Sequence, residues 1–263
     1  ISMYGAPDFT FNYGNEQVAE SPEAKQFFDE LRQKYENGTI KMDDYLKAKQ
    51  FGIINVQKPT LAQNLDYFIT FQNYYYFGRY LLWNFAGRQN DVEGHMENTN
   101  GNFITGIPFI DNNIWGDQSE MPAKFQNEST VKFFMLPLIL GLLGFFFQQN
   151  RDFGRFYAIL SLFILTSVGI IFYTGVKPFE VRERDYAMVG SFYAFAIWIG
   201  LGAGALLWFL QDKVKSNAVN IVAGIVLLGI PLMMGFQNYN PHDRSNRYAA
   251  YDYAYSTLKS LPK

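Results

Sequence analysis

Long apolar runs between Phe133 and Phe236 constrain this chain more than any other feature of its sequence. A helix needs about 20 apolar residues to cross the hydrocarbon core of a bilayer. A helix of a soluble core would show a polar face, and these runs show none. The sequence therefore predicts four membrane-spanning helices, at Phe133 to Gln148, Phe156 to Val176, Tyr186 to Leu210 and Ser216 to Phe236.

The average composition hides this division. A mean hydropathy of −0.09 and 17% charged residues would suit a soluble protein, but most of the charge lies before Lys132 or after Asn240, and the rest lies in the short connections between the apolar runs. We therefore expect an all-α polytopic membrane protein. Its predicted parts are a mainly helical periplasmic or interfacial domain at 1–130, a four-helix transmembrane domain at 131–240, and the start of a periplasmic C-terminal region at 241–263.

Several classes of function are disfavoured by residue usage. The chain has no cysteine, which excludes disulfides, thiolate metal sites and cysteine nucleophiles. Its two histidines, His95 and His242, are too far apart in sequence to form a local metal-binding motif. We therefore expect no metal and no cofactor. The net charge of −2 without a Lys/Arg-rich cluster argues against nucleic-acid binding.

The first 130 residues are predicted to be largely helical. Ser21 and Pro22 begin a helix that runs to about Tyr35, and a short helix follows from Lys41 to Gln50. A long amphipathic helix from Leu61 to Phe85 is rich in Tyr and Trp, which suits the membrane interface. The alternative is a core helix of a soluble domain. Residues 87–130 are predicted to be loop-like.

The short connections between the apolar runs predict an up-down bundle. Small residues at helical spacing in the third run indicate close helix packing; they are Ala196, Gly200 and Gly204. The positive-inside rule places the first and third connections between the apolar runs on the cytoplasmic side, and both tails in the periplasm. The basic residues behind this orientation are Arg151, Arg155, Lys213 and Lys215.

Three polar clusters flank the predicted membrane segments, at 87–91, 182–186 and 240–248. With both tails outside, all three would meet at one membrane face, where arginines can bind a lipid-linked phosphate. The alternative is that these arginines snorkel and pair with neighbouring carboxylates. The phosphate-binding candidates are Arg88, Arg182, Arg184 and Arg244, and the other polar candidates are Asp91, Asp185, His242 and Asp243.

The same clusters carry a resemblance to a known family. The stretches at 80–91, 106–111, 182–186, 190–198 and 242–245 resemble a bacterial multi-pass membrane family related to protein O-mannosyltransferase-like glycosyltransferases of the GT-C type. The resemblance covers about residues 55–257.

This resemblance implies an enzyme of the bacterial inner membrane that works at the outer, periplasmic face of that membrane. It would take a sugar such as mannose from a polyprenyl-phosphate carrier and pass it to Ser or Thr of an exported protein. The implied partners are membrane lipid, the polyprenyl-phosphate sugar as donor substrate, the acceptor protein and the remainder of the same polypeptide. A carboxylate in the first outer loop of the family acts as general base.

The sequence departs from the family at that loop, because no predicted span precedes residue 131. None of Asp91, Asp111, Asp185 and Asp243 matches the catalytic carboxylate, so we expect the chain to be a fragment of a longer enzyme that is inactive alone. The alternative function is a non-catalytic scaffold that docks a partner through residues 1–130. A transporter is disfavoured, since the four spans hold no charged residue at mid-membrane depth.

Overall fold

The chain divides into two compact units. They comprise Ile1–Gln72 with Gly175–Glu183, and Asn73–Thr174 with Arg184–Lys263. The computed structural model describes residues 9–12, 22–92, 94, 97–125, 127–176, 185–243, 245 and 248–260. The predicted domain boundary after residue 130 stays a prediction, and the division after Gln72 follows the packing of the chain. Its physical reason is that Phe85 and Ala86 are buried in one core with Leu138 and Trp198 of the apolar helices.

The first unit contains two short strands and two helices, β1 (Phe9–Phe11), α1 (Pro22–Glu36), α2 (Met42–Gln50) and β2 (Ile54–Val56). The predicted helices are confirmed, while the predicted N-cap Ser21 lies outside the described residues. The two strands pair antiparallel, so the all-α prediction is wrong in this detail: three-residue strands are too short to give a periodic signal. The core of the unit consists of Leu31, Tyr45, Ala48, Ile53 and Ile54.

The predicted helix from Leu61 to Phe85 is helical along its length but changes type. It comprises α3 (Leu61–Asp66), a π-helix (Tyr67–Gly78) and α4 (Arg79–Phe85). Thr60 caps α3 by accepting a hydrogen bond from the backbone N–H of Gln63. Because a π-helix has more residues per turn than an α-helix, residues at α-helical spacing do not stay on one face along this stretch. Leu65 and Ile69 are exposed, whereas Tyr76 and Tyr80 are buried.

Residues 87–132 are more ordered than the predicted loop. Helix α5 (Pro108–Trp115) lies within them, and strand β3 (Gly87–Arg88) pairs antiparallel with β4 (Val131–Lys132). Gly87 has φ +141, and a Cβ there would crowd the carbonyl oxygens of Ile104 and Val131. Only glycine therefore allows β3 to pass between these two segments.

The apolar runs form the remaining helices. These are α6 (Leu136–Arg151), α7 (Phe153–Ile164), a π-helical turn (Leu165–Gly169), α8 (Ile170–Thr174), α9 (Val189–Val214), α10 (Asn217–His242) and α11 (Ala249–Ser260). A 3-10 turn (Asp185–Met188) leads into α9.

Three helical segments among the described residues are long and apolar enough to cross a membrane: Phe153–Thr174, Asp185–Val214 and Asn217–His242. They correspond to the second, third and fourth predicted spans. The first predicted span corresponds to α6, whose 16 residues extend only about 24 Å. That is shorter than a hydrocarbon core of about 30 Å, so the four-span prediction is confirmed for three helices.

Helices α6 and α9 form the most extensive helix contact of the second unit. Gly144 and Gly202 make it possible, because a Cβ at Gly144 would overlap the Trp198 carbonyl, and one at Gly202 would overlap that of Leu140. The sequence predicted close packing at a different face of α9, the one that carries Ala196, Gly200 and Gly204. Gly200 and Gly204 have open space beside them, so their assignment to a helix contact is wrong.

Candidate functional site

A cavity of about 410 Å³ lies at one end of the apolar helices, within the second unit. Its walls come from α4, from the β3–β4 pair, from the first residue of the turn before α9, and from the last part of α10. The polar lining residues are Asn84, Arg88, Asp185, Asn238 and His242, and the aromatic ones are Tyr80, Trp83, Phe133 and Tyr239. One residue from each of the three polar clusters therefore lines the same cavity.

Arg88 is the one Arg or Lys among the described residues that line this cavity. Its Nε donates to the Ser129 carbonyl oxygen at 2.9 Å, and its guanidinium carbon lies 5.5 Å from the centroid of the Trp83 ring. Burial lowers the pKa of the guanidinium, while the carboxylates of Asp91 and Asp185 act to raise it. An arginine stays charged even so. Among the described carboxylates none forms a salt bridge with Arg88, which leaves its terminal nitrogens available for an anion.

Asp185 and His242 complete the described polar lining. Asp185 is exposed at the start of the turn before α9. The Nδ1 atom of His242 lies 2.9 Å from the Asn238 carbonyl oxygen. A carbonyl can only accept, so Nδ1 carries the proton, and Nε2 of the neutral ring is an acceptor.

Asp91 and Asp243, two further candidates, do not line the cavity. Asp91 accepts a hydrogen bond from Asn127 Nδ2 at 2.7 Å. Burial acts to raise its pKa, but hydrogen bonds from Ser129 and Asn127 and the charge of Arg88 outweigh it, so the pKa lies below its ordinary value. Asp243 accepts from the Ser245 backbone N–H at 2.8 Å, which is the main cause of its lowered pKa.

Three of the four candidate arginines, Arg182, Arg184 and Arg244, lie outside the described residues. Their neighbours in sequence bracket the cavity, since Asp185 directly follows Arg184 and His242 precedes Arg244 by two residues. Their assignment as phosphate ligands stays a prediction.

The residues that follow Arg88 in the 87–91 cluster hold the fold together. Asn90 is fully buried and uses all its hydrogen-bonding capacity. Its Nδ2 donates to the carbonyls of Thr99 at 2.9 Å and Phe125 at 3.0 Å, and its Oδ1 accepts from the N–H groups of Gly101 at 2.8 Å and Val92 at 3.2 Å. Buried Gln89 accepts a hydrogen bond from Asn102 Nδ2 at 3.0 Å. These side chains replace the regular backbone pairing that a loop lacks.

Asp111 has a similar structural role in the stretch at 106–111. Its carboxylate is buried and accepts from the N–H groups of Thr105 at 2.7 Å and Gly106 at 2.8 Å, and from the Thr105 hydroxyl at 2.9 Å. Three donors therefore stabilise the charge. Because every described contact is made to the adjacent loop, Asp111 fixes the start of α5 and does not reach the cavity.

Sequence reasoning missed the residue that anchors the wall formed by α10. The Gln237 side chain accepts from the Lys132 backbone N–H at 2.7 Å and donates to the Lys132 carbonyl at 3.0 Å. This pair holds α10 against β4 and so positions Asn238, Tyr239 and His242. The signal in the sequence was weak, since a glutamine near a helix end has many roles.

The described residues contain no group of three His, Asp or Glu side chains that could hold a metal ion. No protein-family model matches the chain, and no curated protein or solved structure is significantly similar to it. The resemblance to the glycosyltransferase-like family therefore rests on the sequence motifs alone.

Proposed function

We propose that this chain is part of a membrane glycosyltransferase that moves a sugar from a polyprenyl-phosphate carrier to Ser or Thr of exported proteins. The observation that supports it most is the cavity that contains Arg88, Asp185 and His242 together. Three stretches of the sequence that resemble one glycosyltransferase-like family contribute to this one cavity. Its position at the end of the apolar helices suits a substrate with a lipid tail and a polar head.

The lining suits the phosphate of such a donor. Arg88 is a half-buried cation whose Nε is engaged by Ser129, so its remaining N–H groups can bind two phosphate oxygens. Trp83 and Tyr239 offer aromatic surface of the kind that packs against apolar groups. Asp185 and Nε2 of His242 can accept hydrogen bonds from sugar hydroxyls. We assign no catalytic base to this chain.

The proposed topology has four spans with both tails in the periplasm of a bacterial inner membrane. Helix α6 is proposed as the first and shortest of the four spans, because it runs beside α9 in the same direction: Gly141 lies against Phe195, and Arg151 lies over Trp208 further along both helices. The stretch from Leu61 to Phe85 is proposed to contact the membrane surface. Leu61, Leu65 and Ile69 are exposed apolar residues that such contact would cover.

The test is sugar transfer by the complete polypeptide that carries this chain, in membranes supplied with a polyprenyl-phosphate sugar and an acceptor peptide. Arg184→Lys and Arg244→Lys keep the charge but lose the planar guanidinium. A charge-assisted bond to phosphate contributes roughly 1.5–3 kcal/mol, so each variant should lose about ten- to a hundred-fold in donor use. Near-normal transfer by both would leave these arginines as membrane anchors.

The alternative is a non-catalytic scaffold that docks a partner through residues 1–130. It is supported by the separate core of the first unit, around Leu31, Tyr45 and Ile53, since a domain with its own core can fold as a binding module. Absence of transfer by the unsubstituted polypeptide, across several polyprenyl-phosphate sugars, would favour the scaffold.

A further inference from the structure

A second cavity lies at the other end of α9, away from Arg88. It is open, has a volume of about 410 Å³, and is lined by Trp208, Gln211, Asp212, Lys215 and Asn217. Trp208, Gln211 and Asp212 belong to the last turns of α9. Lys215 directly follows α9, and Asn217 is the first residue of α10. Since α9 has 26 residues, its two ends are roughly 39 Å apart. The second cavity is therefore separate from the proposed donor site.

Arg151, at the end of α6, is held beside this cavity by aromatic rings. Its guanidinium carbon lies 4.3 Å from the centroid of Trp208 and 5.3 Å from that of Phe147. No described carboxylate forms a salt bridge with it. Arg155, four residues further on, differs, because it pairs with Asp152 at 3.3 Å and its side chain is 86% exposed. Arg151 is thus an oriented cation whose charge is not neutralised by a described residue.

Lys215 adds a second cation in a strained position. It has φ +51 and ψ +31 at the end of α9, a left-handed conformation in which glycine is the usual residue. A lysine there costs conformational energy, and strain of this kind is retained where a side chain has a role. Lys213 lies two residues before Lys215, and Asp212 is the only carboxylate among the described residues that line the cavity.

The surroundings indicate a ligand that lies in the bilayer. Trp208 is six residues from the end of α9, which is about 9 Å along the helix axis. Tryptophan is enriched at membrane interfaces, so this position suits the boundary between lipid and water. Phe209, next to Trp208, and Val214, at the end of α9, are exposed apolar residues. Gln211 and Asn217 supply amide N–H donors at the mouth of the cavity.

We propose that this second cavity binds the phosphate headgroup of an anionic bilayer phospholipid. Lys215 and Arg151 contact the phosphate, while Gln211 and Asn217 contact the rest of the headgroup. The site is independent of the proposed transferase function, because its test measures lipid binding.

The test uses Lys215→Gly, for which stability and binding should respond differently. Glycine removes the strain, so the melting temperature should stay equal or rise, while the affinity for anionic lipid should fall about ten-fold. The protein is placed in detergent and titrated with phosphatidylglycerol or phosphatidylcholine, with bound lipid counted by native mass spectrometry. Arg151→Gln should give a similar loss of binding, and Arg155→Gln is the matched control that keeps it.

Equal phosphatidylglycerol binding by Lys215→Gly, Arg151→Gln and Arg155→Gln would overturn the proposal. Binding of phosphatidylcholine as tight as that of phosphatidylglycerol would do the same. Complete competition by millimolar inorganic phosphate would identify a soluble phosphate ligand and overturn the lipid assignment. Should Arg151→Gln fail to fold, Lys215→Gly carries the test, since it relieves strain.

Discussion

Arg88 and Asn90 are two residues apart in one motif, yet they differ in what their polar atoms contact. Asn90 is buried, and its four hydrogen bonds are all made to backbone groups of the 90–125 region. Arg88 uses one nitrogen for the fold, through Ser129, and lines a cavity with the others. The difference teaches that the run of polar residues after α4 combines a structural network with a candidate binding surface.

We expect the largest loss of stability from removal of the four hydrogen bonds that the Asn90 side chain makes. Asn90→Ala removes one buried hydrogen bond and three partly buried ones. A buried group left unsatisfied costs roughly 1–3 kcal/mol, and partly buried groups lose less because water can reach them. We expect the free energy of unfolding to fall by about 3–5 kcal/mol, measured by denaturant titration in detergent.

Asn98→Ala is the matched control for this prediction. Asn98 lies in the same loop and is exposed, and the contact described for it is made by its backbone carbonyl. Its substitution should change stability by no more than about 0.5 kcal/mol. Equal effects of the two substitutions would show that the network does not hold the loop.

The same comparison extends into the apolar helices. Gly202→Ala introduces a Cβ that would overlap the Leu140 carbonyl, while Gly200→Ala meets open space. We expect Gly202→Ala to lower stability by about 2–3 kcal/mol through overpacking, and Gly200→Ala to leave it equal or raise it through the better helix propensity of alanine. Thermal unfolding of both variants measures the difference. A larger loss for Gly200→Ala would mean that α9 packs through the face predicted from its small-residue spacing.

Much of the helical architecture could be predicted from the sequence, because hydropathy and length determine whether a helix can cross a bilayer. The helical segments Phe153–Thr174, Asp185–Val214 and Asn217–His242, which correspond to the spans predicted at 156–176, 186–210 and 216–236, were identified in this way. The face of α9 that packs against α6 could not be predicted in this way. Gly202 and Gly200 are equally small, and only the position of α6 makes one of them a contact.

The candidate site was predictable at the level of clusters. An up-down bundle brings the starts of α6 and α9 and the end of α10 to the same end, and Arg88, Asp185 and His242 do line one cavity. The division of roles within a cluster depends on longer-range contacts. Nothing local to Asn90 or Asp111 indicates that Thr99, Phe125 and Thr105 surround them.

The measurement that tests the central claim most directly compares Arg88→Gln with Arg155→Gln in the complete polypeptide, for both stability and sugar transfer. The Arg88 side chain makes one hydrogen bond in the described structure, so its replacement should cost about 1 kcal/mol of stability or less. Transfer from the polyprenyl-phosphate donor should fall about ten- to a hundred-fold, while Arg155→Gln keeps both properties. Unchanged transfer by Arg88→Gln would contradict the assignment of Arg88 to the binding surface. A loss of transfer that only matches the fraction of unfolded protein, as expected for Asn90→Ala, would contradict it as well.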